Sequence, residues 1–352
     1  MFLRARWWWE TLQGVFLRGQ RHEIQMGNMS TQRTCLVVLY NHNFEKNIPI
    51  IRKIYGKRFS QMIQLVPFYT GGDTDVIRVF GNSFQFHAYI AQARRELLAI
   101  PCDRYLFIGD DLVLNPEINE ASLANLMKLD GNSCFYPAMH DVSRGDCLRG
   151  TMEAHNFEML PAGMDPTALT GVPSYEEAFS ILNRKGLMDT TSLTRLKPYL
   201  PLFEQPWRKA WHKNYKIARA RLWHLRNALR YRLSSKKAAY PVVFGYSDIF
   251  SVPRVHFDEF CNDLEVFASI RMFVELAIPT AFALHDWPMV CEDDLELKPL
   301  NVWFPQDPRL FKQKAARIEE MTIAANYHIE GLQQAFPKDY LYMHPVKLSK
   351  WS

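Results

Sequence analysis

Polar and apolar positions alternate along this chain in blocks that read as strands and helices in turn. "TCLVVLYNHN" opens as an apolar, β-branched and aromatic run and stops at Asn41, His42 and Asn43, which predicts a buried strand over Thr34 to Tyr40. A helix is expected from about Glu45 to Tyr55. "MIQLVPFYT" and "DVIRVF" are short strands separated by the turn "GGD", and Asn82 or Ser83 can cap a helix running to about Ala99. The next run, "RYLFIGDD", is apolar until it ends in two carboxylates. Strands alternating with helices in this way predict an α/β fold, with a mostly parallel central sheet flanked by helices. Ligands of such sheets bind outside the carboxyl ends of the strands, where Asn41 and the Asp110/Asp111 pair both fall.

The middle of the chain loses this regularity. Prolines recur at Pro166, Pro173, Pro198, Pro201 and Pro206, so loops and short helices are expected there. Patterning returns in "YPVVFGYSDIFSVP", a strand pair or bent strand, and in a helix from about Phe257 to Leu276. "TAFAL" reads as a short buried strand, and Asp307 with Pro308 opens a helix ending near Gly331.

One helix has an explicit stripe. Trp207, Trp211, Tyr215, Ala218, Leu222, Leu225, Leu229 and Leu233 recur every three or four residues, and most positions between them are basic. The stretch Trp207 to Lys237 holds eleven Lys or Arg and no Asp or Glu, in a chain whose net charge is +5. The rest of the molecule is therefore net negative, and the basicity is local. Such a helix can lie in the headgroup region of an anionic membrane, pack its stripe on the protein, or bind nucleic acid; no nucleic-acid fold accompanies the charge. The N-terminal "FLRARWWWETLQGVFLRG" mixes Trp and Arg in the same manner, which favours the membrane, whereas nucleic acid is not an expected partner. No apolar run reaches bilayer-spanning length.

At 352 residues, 48% of them hydrophobic and 22% charged, the chain has the composition of a globular protein. Its six cysteines are scattered, without a C-x-x-C pair or zinc spacing, and fit a reducing compartment. Glycine-rich phosphate fingerprints are absent, which argues against a Rossmann dehydrogenase or a P-loop enzyme.

Three acidic clusters compete as candidate sites. "GGDTDV" places Asp73 and Asp75 at D-x-D spacing, "CEDDLE" groups Glu292, Asp293 and Asp294, and Asp110 with Asp111 ends a central strand. Two carboxylates at a strand end can hold Mg²⁺ or Mn²⁺, or they can simply cap and solvate a turn. Asp248 stands in an otherwise apolar strand, where an unpaired carboxylate would cost several kcal/mol, roughly, to bury.

An apolar strand ending in "GDD" and followed by "LVLNP" resembles the glycosyltransferases of the GT-A fold, whose metal-binding D-x-D motif occurs at this point. The resemblance covers Thr34 to Asn119 and, more loosely, Val242 to Leu284. It implies a divalent cation, Mn²⁺ or Mg²⁺, held by Asp111 with Asp110 and a histidine near the C-terminus, either His344 of "LYMHPVKLSKW" or His285 of "LHDWP". Gly109 departs from the motif, taking its first acidic position. The resemblance further implies a nucleotide-sugar donor met by Tyr40, Asn41, Asp73, Asp110 and Lys347, with Arg94 and Arg95 as further phosphate contacts. Asp248 and Glu265 are the implied catalytic carboxylates, touching sugar hydroxyls or serving as general base.

The implied organisation is an amphipathic segment over 1–33, a nucleotide-sugar-binding half over 34–162, a loop-rich and basic helical insertion over 163–239, and an acceptor-binding half with a helical tail over 240–352. The implied activity moves a sugar to a glycan or lipid-linked acceptor, in polysaccharide biosynthesis, at the cytoplasmic face of a membrane. A nucleotidyltransferase, or a non-catalytic membrane or glycan-binding protein on the same fold, are the alternatives.

Overall fold

The computed structural model describes residues 32–144, 148–192, 238–302 and 308–351. The basic stripe over 207–237 and almost all of the N-terminal amphipathic segment lie outside the described residues.

Strands β1 (Thr34–Leu39), β2 (Gln61–Pro67), β3 (Val76–Val79) and β4 (Arg104–Gly109) come from the first half of the chain, with the helices Asn47–Tyr55, His87–Gln92 and Arg94–Leu98 between them. After β4 come the short strands β5 (Val113–Leu114), β6 (Cys134–Phe135), β7 (His140–Asp141) and β8 (Val243–Phe244). The last four are β9 (Ile249–Pro253), β10 (Met289–Val290), β11 (Lys298–Asn301) and β12 (Tyr340–His344). Seven strands form the central sheet in the order β10-β6-β9-β4-β1-β2-β3. Its β4-β1-β2-β3 portion is wholly parallel, and β9 runs antiparallel to β4. The fold is thus mixed α/β with a mostly parallel central sheet flanked by helices.

Both faces of this sheet are covered, which is why its strands read as unbroken apolar runs. In β1, Cys35 and Val37 face one core while Leu36 and Val38 face the other; Tyr105 and Phe107 against Leu106 and Ile108 repeat this division in β4. One core lies under the helices Tyr175–Arg184, Arg254–Ser269 and Val274–Leu284. The other lies under Asn47–Tyr55, Pro308–Ala324, Ile329–Ala335 and a small sheet ordered β11-β12-β5.

Three local expectations change. "TAFAL" belongs to the helix Val274–Leu284, and of its residues only Glu275 is not buried. A helix buried all round loses its periodicity, so a short apolar run cannot be told from a buried strand. The expected helix Phe257 to Leu276 is two helices, Arg254–Ser269 and Val274–Leu284, parted at Arg271, which has a φ of 56°. The C-terminal helix breaks likewise, where Asn326 and Tyr327 adopt positive φ between Pro308–Ala324 and Ile329–Ala335. Among the described residues no helix is long and apolar enough to cross a membrane.

Candidate metal centre

Strand register gathers the site. In the antiparallel β4/β9 pair, Ile108 faces Ile249, and the Gly109 N–H donates to the carbonyl of Asp248 at 2.8 Å. Asp248 therefore stands beside the end of β4, where the chain turns through Asp110 and Asp111. On the other side, β12 pairs antiparallel with β5, with Met343 opposite Val113, and the Val346 N–H donates to the Asp111 carbonyl at 2.6 Å. His344 is thereby brought to Asp111 from more than two hundred residues away in sequence.

Asp111, Asp248 and His344 each offer one ligand atom, and these atoms lie within 4.8 Å of one another. His344 Nε2 is 3.2 Å from Asp111 Oδ1 and 3.7 Å from Asp248 Oδ1. The imidazole is buried, while the two carboxylates keep partial access to solvent. Asp111 Oδ1 is sealed from solvent and faces the His344 imidazole. Two carboxylates and an imidazole converging on one point are a donor set for a divalent cation. Two adjacent ligands of an octahedral ion at about 2.1 Å each stand about 3 Å apart, so these residues fit Mg²⁺ or Mn²⁺.

The electrostatics agree with that fit. Burial and the neighbouring Asp111 charge push the Asp248 carboxyl above its ordinary value, against the pull of His344. Burial alone would lower the His344 pKa, yet the carboxylates of Asp248 and Asp111, with Asp110 behind them, raise it.

Gly109 has a steric reason. A Cβ there would lie 3.2 Å from Asp111 Oδ1 and 3.9 Å from Asp248 Oδ1. A carboxylate at this position would crowd the donor atoms.

The loop that carries Asp248 is held by its own sequence. Pro279 sits inside the helix Val274–Leu284 and has no N–H to return to the carbonyl of Glu275. The Gly245 N–H takes that carbonyl instead, at 3.0 Å, and Thr280 Oγ1 accepts from the Val243 N–H at 3.1 Å. Gly245 allows the contact because a Cβ would lie 2.6 Å from the ring of Tyr136. The Tyr136 hydroxyl then meets Ser247 Oγ at 3.1 Å. Glu275 is brought near Asp248 by this docking; burial, and then the Asp248 charge, push its carboxyl up to about 8. No motif or periodicity singled Glu275 out.

The other predicted residues fall in several places. Asp110 is buried and accepts from the Asn41 N–H at 3.3 Å and from Asn47 Nδ2 at 3.0 Å, so it ties the end of β1 to the following helix. Burial, with Asp111 adjacent, pushes it up to about 7. Tyr40 is 0% exposed and its hydroxyl donates to Gln64 at 2.6 Å, so the expected stacking face for a base is inside the core. Asn41 is half-buried beside it, with its N–H on Asp110. Asp73 pairs with Arg52 at 3.2 Å and accepts from the Tyr69 hydroxyl. Lys347 is exposed, three residues beyond His344. Glu265 pairs with Arg94 at 3.1 Å, and Arg94 also holds Asp258, so that guanidinium is engaged by the helix Arg254–Ser269. His285 stands apart from the donor set, with Nε2 2.7 Å from Asp263 and its ring stacked on Trp287 at 4.0 Å.

Beside Asp248 and His344 runs a small cleft, lined also by Pro137, Tyr246, Ile249, Asn301 and Tyr342. The cleft is water-sized, about 10 Å³, so its ring, amide, phenol and carboxylate can meet a single polar group of a ligand.

No family model matches this chain, and no curated protein matches it. Among solved structures, it is similar to the galactosyltransferase LgtC in complex with donor and acceptor sugar analogues, at 10% identity and a TM-score of 0.29, over 71% of this chain and 70% of that one. An active-site mutant of LgtC matches at 12% identity and a TM-score of 0.20, over 44% of this chain and 66% of that one.

Proposed function

We propose that this chain is a metal-dependent glycosyltransferase that moves a sugar from a nucleotide-sugar donor to a glycan or lipid-linked acceptor. The observation that carries the proposal is the convergence of Asp111, Asp248 and His344 at the carboxyl end of β4, beside the cleft. Asp111, Asp248 and His344 would hold a divalent cation, which when bound neutralises charge on a diphosphate leaving group. Asp110 positions Asp111 by anchoring the turn to Asn41 and Asn47. Lys347, exposed just past His344, serves the phosphates, and Asn41 with Asp73 borders the nucleotide. On the acceptor side, Glu275 is a buried carboxylate that feels the Asp248 charge, and Glu265 acts there only if Arg94 releases it.

The stretch 207–237, eleven cations interleaved with a helix-periodic apolar stripe, supports docking on the anionic inner face of a membrane, where a lipid-linked acceptor resides.

Thermal stabilisation by UDP-, GDP- and CMP-linked sugars, with and without Mn²⁺, tests the activity class. A Mn²⁺-dependent shift that disappears in Asp111→Asn is the expected result. Indifference to every nucleotide sugar, or a shift that survives the substitution, would sink the proposal. Flotation with anionic vesicles tests the membrane arm separately, and protein that stays at the bottom of the gradient argues for packing of the stripe on the protein.

A further inference from the structure

The cleft has a second wall, built from residues that no motif brings together. Tyr342 and His344 lie two apart on β12, so their side chains share one face of the strand. Asn301 ends β11 and stands in register with His344. Asn301 Nδ2 donates to the Tyr342 hydroxyl oxygen at 3.1 Å, and that hydroxyl donates in turn to Glu292 Oε1 at 2.5 Å. Glu292 sits in the turn after β10, and its own N–H is held by the Pro137 carbonyl at 3.1 Å. Tyr342, Asn301 and Pro137 all line the cleft.

A phenol has one proton to give. Here Glu292, once ionised, takes it in a short bond; burial pushes that carboxyl up to about 7, so the lock is complete above that pH. The oxygen of Tyr342 is left with only lone pairs to offer, as is Oδ1 of Asn301. We propose that Glu292 is a positioning residue that locks Tyr342 and Asn301 as a hydrogen-accepting pair, so that this wall reads a ligand group able to donate a proton, a sugar hydroxyl. The inference rests on the glycosyltransferase reading and adds the polarity of one subsite and the residue that sets it. Without Glu292, the Tyr342 proton turns toward the cleft and the wall accepts groups it now rejects.

A hydroxyl replaced by fluorine keeps the shape and loses the donor, which suits the test. The probes are the best-bound of the UDP-, GDP- and CMP-linked sugars and its monodeoxyfluoro analogues, titrated with Mn²⁺ present. Wild-type protein is expected to bind one of the analogues on the order of tenfold more weakly than the parent sugar. Glu292→Ala and Tyr342→Phe should narrow that ratio to within about twofold, and Glu292→Gln, which keeps an acceptor for the phenol, should restore it. Mn²⁺ affinity, measured alone, should be unchanged in the Glu292 variants. An unchanged fluorine penalty in Glu292→Ala overturns the inference. Should that variant not fold, the nearly isosteric Tyr342→Phe decides, and a penalty it leaves intact overturns the inference equally. Wild-type protein that binds no nucleotide sugar removes the glycosyltransferase reading and this one with it. Binding without hydroxyl discrimination removes this one alone.

Discussion

Two pairs of carboxylates border the central sheet, Asp73 and Asp75 ahead of β3 and Asp111 with Asp248 at the carboxyl end of β4, and their surroundings are opposite. Asp73 and Asp75, at literal D-x-D spacing beside β3, share the guanidinium of Arg52. Arg52 Nε donates to Asp75 at 2.8 Å, Gln64 donates to the same carboxylate at 3.0 Å, and Tyr69 donates to Asp73. Arg52, first by hydrogen bonding, holds the Asp75 carboxyl below its ordinary value. Asp111 and Asp248 are paired, among the described residues, only with the His344 imidazole, at 3.2 and 3.7 Å. Spacing alone would choose the first pair. Satisfaction of the oxygens chooses the second, because a carboxylate already neutralised has little left to offer an ion.

Metal titration gives the widest separation between the pairs. Asp111→Asn or Asp248→Asn should weaken Mn²⁺ binding by at least about a hundredfold, since even outer-shell partners are worth ten- to a hundredfold. Asp73→Asn and Asp75→Asn should leave it within about twofold. Calorimetry with the four variants is sufficient, and equal losses at both pairs would erase the distinction.

Gly109 offers the next largest effect, and a counterintuitive one. Restoring a carboxylate with Gly109→Asp would complete a D-x-D sequence but drive a side chain toward Asp111 Oδ1. Metal affinity should fall by about tenfold, the order of effect that a disturbed supporting shell produces. A gain in affinity would mean that the crowding is relieved by movement of the turn.

These contrasts explain what could be read in the sequence. The parallel sheet and its strand ends were legible because β1 and β4 are buried on both faces and end in polar residues. Asp111, Asp248 and His344 could each be noticed singly, one by its strand end, one by its apolar neighbours, one by resemblance. Their meeting was not legible, since it depends on the β4/β9 and β5/β12 registers, which no local pattern encodes. Tyr40, a tyrosine at a strand end, reads as exposed, yet its side chain is wholly buried. Its partner, Gln64, is a buried polar residue in the middle of β2, found only once the strands are paired. Glu275 hid inside "VELAIPTAFAL", whose all-round burial removed the period that would have shown a helix and its first turn.

Stability should separate the two carboxylate pairs by sign. Asp75 is clamped by a cation, so Asp75→Asn should destabilise by about 1 kcal/mol, the upper range for a partly exposed ion pair. Asp248 is half-buried, and desolvation with the Asp111 charge outweighs the pull of His344 on its carboxyl, so Asp248→Asn should stabilise the metal-free protein by up to about 1 kcal/mol. The acid dependence follows from the depressed Asp75 pKa. Its contribution is complete above the ordinary value of 3.8 and fades as the pH falls through the lower folded-state value. Denaturant melts of Arg52→Ala across that range should lose this fading, and an undiminished slope would mean that the clamp is not its source.

The smallest expected effect tests how Asp248 is held rather than what it binds. Pro279 leaves the Glu275 carbonyl free, and Gly245 occupies it. Pro279→Ala supplies an N–H four residues along the helix, in place to claim that carbonyl and release the loop. A proline inside a helix is disfavoured by roughly 3 kcal/mol, so the substitution should raise the melting temperature if the ring is accommodated only at a cost. Mn²⁺ affinity should nonetheless fall, by about threefold, because a loosened Asp248 must be ordered again when the ion binds. A protein that becomes more stable and binds its ion less well is the signature of a backbone bond diverted to shape a site. If stability and affinity rise together, Gly245 does not need the Glu275 carbonyl, and the loop is held by Tyr136 and Ser247 alone.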